Sequence, residues 1–313
     1  TIEGAGVRPD EVRTYRQRWD NGQRMAQAML DLGIAPGERV ALLMANHAEF
    51  VEAMVAAGIV GAAVVPIDPR TKGDKLHFML SNSQCSAAIA ADYVLPRLQP
   101  LRERLPGLRW AMAFATDEGD RPLSDWQGVE NLAARAPADV PDLPLLTIDP
   151  DSALELIFTS GTTGDPKGIV MTHRRYCQTV RLGPSLFGYS TDDVLYSGLS
   201  LTHANAQLVT LGSALACRLR CVLSRRFTKS RLWDVTRQYG ATTFTLLGGM
   251  TTAVYTEPRK PNDADNPVRF VVSSGMPAAI WGEFSQRFGV QIVEFSGAAD
   301  GGMTFNHFGQ GPL

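Results

Sequence analysis

The sequence predicts an α/β protein in which a parallel sheet is covered by helices. Two observations carry this expectation. From Arg39 onward, short β-branched or apolar runs alternate with amphipathic stretches of helical period. Loops of small residues directly follow several of those runs, where open α/β sheets place their ligands.

Taken in order, strands are expected at 39–44, 62–67, 86–90, 108–114, 154–158, 168–172, 194–196, 219–223, 242–246, 269–272 and 291–295, with helices between most of them. Thr14 precedes a stretch with Trp19, Gly22, Ala26, Met29 and Leu30 on one face, and Gly33 follows as a helix stop. Asn46 is expected to cap a helix over 47–59, and Pro277 to open one that carries Ile280, Phe284 and Phe288. The proline-rich stretch 137–150 has no helical period and reads as a linker or surface crossing.

With 313 residues there is room for one large domain or two ordinary ones. Apolar residues at 44% and charged residues at 20% describe an ordinary folded protein rather than a disordered one. The 30 Lys and Arg against 32 Asp and Glu leave a net charge of −2, without the basic footprint that nucleic-acid binding needs. The longest uncharged apolar stretch, 53–67, is too short to span a bilayer and contains Gly58, Gly61 and Pro66. The start shows no basic or apolar leader and no Met, so the chain is expected to be processed or cut from something longer. Cys85, Cys177, Cys217 and Cys221 read as reduced thiols of a cytoplasmic protein, with no second pair at zinc spacing beside Cys217 and Cys221.

The chemistry sits after the strand at 154–158, in Thr159-Ser160-Gly161-Thr162-Thr163-Gly164-Asp165-Pro166-Lys167-Gly168. Glycines free the backbone so that N–H groups can face one concave site, and four hydroxyls can donate to phosphate oxygens. Lys167 adds a mobile positive charge, although an isolated lysine is more often a solvated surface group. This is not a Walker A loop, because Pro166 stands where its second glycine should be. Residues 168–172 continue as a strand rather than a helix, so the loop itself must hold the phosphate.

Residues 158–168 resemble the phosphate loop of the AMP-forming, acyl-adenylating superfamily of acyl-CoA synthetases, firefly-type luciferases and peptide-synthetase adenylation domains. Thr14-Tyr15, Gly37 to Leu43 and Val64 to Arg70 are similar to early stretches of CoA ligases. Leu199 to Gln207 resembles the Pro-Leu-Phe-His segment, with Ser200 in place of the proline. The resemblance makes His203 a wall of the carboxylate pocket, while the lesser alternative of a helix-capping or core histidine stays open on sequence alone. Ser274-Gly275-Met276-Pro277 resembles the Gly-Ala-Pro turn against adenine, and Ser296-Gly297-Ala298-Ala299-Asp300 the Tyr-Gly-x-Thr-Glu segment. Here Ser296 replaces the aromatic that stacks on adenine and Ala299 the phosphate-binding threonine, while Asp300 keeps a carboxylate where the family places a magnesium-associated Glu.

The resemblance implies two stacked, mostly parallel sheets flanked by helices, the large N-terminal portion of such an enzyme, with the C-terminal domain and its catalytic lysine absent. Subdomains are expected at 36–190, carrying the phosphate loop, and at 1–35 plus 191–313, carrying the acyl and adenine loops. The implied activity is an AMP-forming acyl-CoA ligase of fatty acid metabolism that uses ATP, Mg²⁺ and coenzyme A on a small carboxylic acid. It implies no membrane span and allows a homodimer. His203 and Lys167 would be catalytic, and Thr159, Ser160, Gly161, Thr162, Thr163, Gly164, Lys167, Gly275, Met276, Pro277, Ser296, Gly297, Ala298, Ala299 and Asp300 would bind nucleotide. His203, Asn205, Gly248, Gly249, Met250 and Gly275 would meet the acid, with Gly248 and Gly249 leaving volume in an acyl channel. Asp300 and Thr162 would attend the metal. Two other readings stay open: a degenerate nucleotide- or acyl-binding module, and an adenylating enzyme that delivers to a carrier protein.

Overall fold

The computed structural model describes residues 1–146, 149–159, 165–297, 303–305 and 311. Its contacts divide the chain into an N-terminal unit, Val12–Arg175, and a C-terminal unit, Thr1–Glu11 with Tyr176–Leu313. In chain order the first half contains β1 (Ile2–Glu3), α1 (Tyr15–Asp31), β2 (Arg39–Leu43), α2 (Ala48–Val60), β3 (Ala63–Pro66), α3 (Gly73–Asn82), β4 (Ala87–Ala91) and α4 (Leu95–Leu98). There follow β5 (Trp110–Phe114), β6 (Val129–Asn131), α5 (Leu132–Arg135), β7 (Ala153–Thr159), β8 (Lys167–Thr172), α6 (His173–Val180) and α7 (Gly183–Phe187). The second half contains β9 (Val194–Ser197), a π-helix (Asn205–Gly212), α8 (Ser213–Cys217), β10 (Arg220–Ser224), α9 (Leu232–Tyr239) and β11 (Thr243–Leu247). It closes with α10 (Gly248–Tyr255), β12 (Phe270–Ser274), α11 (Trp281–Phe288), β13 (Gln291–Gly297) and β14 (Met303–Phe305).

The N-terminal unit is built on a seven-stranded sheet of order β6-β5-β4-β2-β3-β7-β8, parallel throughout except for the antiparallel β7–β8 pair. Strands β2 and β4 are apolar and almost wholly buried, as both faces of a helix-covered parallel sheet require. Helix α1 starts on a reciprocal capping box: the Thr14 hydroxyl accepts the Gln17 N–H at 3.1 Å, and the Gln17 side chain accepts the Thr14 N–H at 2.8 Å. Gly33 follows at φ +77°, as expected of a stop. The expected cap of α2 is corrected by one residue. His47 occupies the cap position without a side-chain bond to the helix, and Asn46 is buried.

The expected subdomain boundaries also move, because α1 belongs with the N-terminal unit rather than with the C-terminal one. Gly22 of α1 lies so close to α2 that a Cβ there would meet Val55 at 2.4 Å, and Asn21 donates to Glu52 at 2.9 Å. The stretch from 137 does cross the surface of this unit: Leu143 N–H donates to Gln23 of α1 at 3.0 Å, and Leu146 N–H to Ile59 of α2 at 2.7 Å.

The C-terminal unit has its own seven-stranded sheet, β1-β10-β9-β11-β12-β13-β14, parallel except at β13–β14. Aromatic side chains fill the layers on its faces, among them Trp233 stacked on Phe288 at 4.4 Å and Phe187 edge-on to Phe295 at 5.3 Å. Asp193, immediately before β9, ties together the amino ends of three strands. It accepts two bonds from Arg269 at 2.7 Å, one from the Thr242 hydroxyl at 2.6 Å and one from the Ser190 N–H at 2.7 Å. Burial pushes its carboxyl pKa up, but these donors outweigh it and hold the group below its usual value.

Candidate functional site

In the N-terminal unit, the antiparallel register sets Thr159, the last residue of β7, opposite Lys167, the first of β8, with Phe158 opposite Gly168. A hydroxyl and an exposed ammonium thus flank the ends of the 160–166 segment, and among the described residues no carboxylate pairs with Lys167. A hydroxyl beside an unpaired cation suits a phosphate chain. Ser160, Gly161, Thr162, Thr163 and Gly164 lie outside the described residues, as do Ala298, Ala299 and Asp300. The two expected metal ligands are among them. Among the described residues, no group of three His, Cys, Asp or Glu could hold a metal ion.

In the C-terminal unit, β10 lies on one side of β9 and β11 on the other, so chain direction across the sheet reverses at β9. Such a switch point opens a crevice at the strand's carboxyl end. The segment that leaves β9 there is the one carrying His203. Ser197 Oγ accepts the Leu199 N–H at 3.1 Å, Ser200 Oγ accepts the Thr202 N–H at 3.3 Å, and His203 N–H donates to the Ser200 carbonyl at 3.0 Å. Ser200, standing where the resembling segment has proline, therefore builds the turn with its hydroxyl.

His203 Nδ1 accepts the Asn205 backbone N–H at 3.2 Å. Surrounding protein lowers its pKa by desolvation, although the residue as a whole is exposed. At neutral pH the ring is therefore uncharged and carries its proton on Nε2, making it a neutral donor.

The helix that follows is wound as π over Asn205–Gly212, a geometry that recurs at functional sites and has no signature in apolar spacing. Tyr189 donates its hydroxyl to the Val209 carbonyl at 3.3 Å, and Tyr176 reaches the Gln207 carbonyl at 3.5 Å. Beneath it Ser197, Thr245 and Thr210 link hydroxyls at 3.2 Å each. The side-chain amides of Asn205 and Gln207 are buried and find no partner among the described residues. Each orphaned group costs about 1–3 kcal/mol.

Gly248, Gly249 and Met250 form the first turn of α10, directly after β11. Only part of the expected acyl volume is there. A Cβ on Gly249 would meet nothing within 4 Å, but one on Gly248 would strike the Gly275 carbonyl oxygen at 2.5 Å. Gly248 serves a backbone-to-backbone approach, not an opening. Gly275 turns the chain at φ +81° after β12, and the next N–H, of Met276, donates to the buried Glu294 carboxylate at 2.8 Å. Glu294 was not foreseen as a site residue, and its signal was a charged residue in an otherwise apolar strand. Pro277 continues the turn at φ −64°, and Ser296 and Gly297 end β13 exposed.

The His203 segment, Gly248 to Met250, Gly275 to Pro277 and Ser296-Gly297 thus leave the carboxyl ends of the neighbouring strands β9, β11, β12 and β13. A cavity of about 560 Å³, lined by Arg259, Lys260, Asp263, Glu283 and Arg287, involves the loop that precedes β12 and not these ends. All four cysteines are free, and Cys177 is exposed.

This is the fold of the large N-terminal domain of acyl-CoA synthetase-like, adenylate-forming enzymes. The anthranilate CoA ligase AuaEII, solved with anthranoyl-AMP, superposes with a TM-score of 0.84 at 23% identity, over 93% of this chain and 56% of that one. The N-terminal domain of FACL13 from Mycobacterium tuberculosis matches with a TM-score of 0.74 at 25% identity, over 93% and 71% of the two chains. The chain belongs to the AMP-binding enzyme family, whose profile matches residues 5–311. The medium/long-chain-fatty-acid–CoA ligase FadD6 of Mycobacterium tuberculosis is 31% identical over 95% of this chain and 48% of its own length. Long-chain fatty acid transport protein 6 of Mus musculus is 28% identical over 96% and 48%. The chain spans about half the length of the curated relatives it matches.

Proposed function

We propose that the whole protein joins a carboxylic acid to AMP with loss of pyrophosphate and then passes the acyl group to the thiol of coenzyme A. The observation that carries this reading is the row of small-residue loops at the carboxyl ends of β9, β11, β12 and β13, which begins with a neutral histidine donor. His203 Nε2–H donates to a carboxylate oxygen, so the acid is oriented without a formal charge beside it. Thr159, Ser160, Thr162, Thr163 and Lys167 hold the β- and γ-phosphates, and Gly161 and Gly164 leave the backbone free to approach them. Charge stabilisation at these groups does the catalytic work. The turn Gly275-Met276-Pro277 and the segment 296–300 take the adenosine side, and Asp300 with Thr162 takes Mg²⁺, which would neutralise phosphate charge.

The names of the fatty-acid relatives favour a medium- or long-chain acid, and free thiols favour the cytoplasm. Carboxylate-dependent ATP–pyrophosphate exchange on the full-length gene product tests the first step. Exchange at background with every acid tried would instead assign a binding module, consistent with Ser296 and Ala299. Exchange without thioester formation on free coenzyme A would assign delivery to a carrier protein.

A further inference from the structure

The π-helix Asn205–Gly212 begins two residues after His203, and its first turn buries two complete side-chain amides without partners among the described residues. Gln207 is fully enclosed and Asn205 is 7% exposed. An amide of this kind is placed to bond something that arrives, because a purely apolar guest would be served better by leucine at either position. The helix also rests on hydroxyls where a sheet-facing layer is ordinarily apolar: Ser197, Thr243 and Thr245 on the strands and Thr210 on the helix itself are all buried.

We infer that Asn205 and Gln207 determine acid specificity, and that the acid carries a hydrogen-bonding substituent, a hydroxyl or oxo group, along its chain. This rests on the adenylation reading, which puts the acid's carboxylate at His203. In the resting arrangement both amides are closed off, so the helix has to rewind for them to reach the acid. The π winding supplies that freedom: moving its extra residue along the helix turns the positions it passes by about 100°. Opening therefore costs little backbone bonding and gives the amides the partners they lack.

The test compares medium- and long-chain saturated acids with their hydroxylated counterparts in pyrophosphate exchange, using full-length wild type and Gln207→Leu. Wild type is expected to favour the hydroxylated member of at least one pair by about tenfold in kcat/KM. In Gln207→Leu that ratio should fall towards one, with a melting temperature equal to or above that of wild type. Asn205→Ala reads the same ratio should the first variant fail to fold. Preference for the saturated acid throughout, or a ratio that survives both substitutions, overturns the inference. A lower melting temperature for folded Gln207→Leu also overturns it, because the amide would then already be satisfied at rest. Exchange with no acid at all in wild type overturns the adenylation reading itself, and this inference with it.

Discussion

Gly248 stands against the carbonyl oxygen of Gly275, so that a Cβ built on it would lie 2.5 Å from that oxygen. Both partners are backbone, so neither can swing away. Gly248→Ala is expected to cost about 1–3 kcal/mol through forced separation of the β11 and β12 ends. Gly249→Ala, with nothing within 4 Å of its new methyl, should be neutral or stabilise through helix propensity by up to about 1 kcal/mol. Denaturant melts of the two variants check this, and equal midpoints would refute the close approach.

Lys167 is exposed and has no carboxylate partner among the described residues, so its removal should leave stability within about 0.5 kcal/mol. Its loss should be felt in nucleotide binding instead. Calorimetric titration with ATP and Mg²⁺ is expected to show at least about tenfold weaker binding for Lys167→Ala, from the loss of a charge-assisted bond. Equal affinities would remove Lys167 from the phosphate site.

The pKa of His203 is lowered by desolvation, so in the acid range the folded protein binds fewer protons at this site than the unfolded chain. Stability contributed by the neutral ring is present above the unfolded value of about 6.5 and is lost as pH falls through the folded value. His173, also lowered by burial, acts in the same direction. His203→Gln should therefore lose less melting temperature than wild type between neutral and mildly acidic pH while keeping the His173 part. Identical pH slopes would mean that His203 titrates normally.

Asp193 is buried and its carboxyl pKa is depressed, so its stabilising effect is present above the unfolded carboxylate value and disappears as pH falls through the folded one. Arg269 is half exposed, which moderates the pair, and Arg269→Ala is expected to cost about 1–3 kcal/mol at neutral pH. The loss should shrink in acid. A pH-independent loss would mean that the arginine acts through packing on Phe270, which its guanidinium overlies at 5.1 Å.

Most strands were legible because burial on both faces writes itself as apolar runs, while the largely exposed β8 was read from its own apolar and β-branched residues, and the eleven expected strands recur within about two residues. Three were missed for a physical reason. β1, β6 and β14 are two or three residues long, too short for any periodicity, and only pairing with a neighbour defines them. Thr14 announced its helix because capping is local chemistry. Asn46 misled because the same residue type also serves inside the protein, where Asn46 lies buried. Sequence placed His203 and Gly275 in loops that follow strands, as the structure has them, but not the contacts that hold them. The Glu294 contact spans two strands, and the π winding adds one residue per turn without changing which residues are apolar. Gly248 was read as empty space, yet a missing side chain looks the same in sequence whether solvent or a carbonyl occupies its place.

Ile2 and Glu3 pair with Leu223 and Ser224 in the C-terminal sheet, and the chain then leaves that unit for the whole of 12–175. During synthesis the N-terminal unit emerges as one continuous stretch and can close its core while later residues are still being added. Ile2 and Glu3 must wait for β10 to leave the ribosome before they find their neighbour, and until then β1 is a short unpaired strand. Substitutions that weaken the β1–β10 pairing should accordingly surface late in biogenesis, as low soluble yield, before they register in the finished protein.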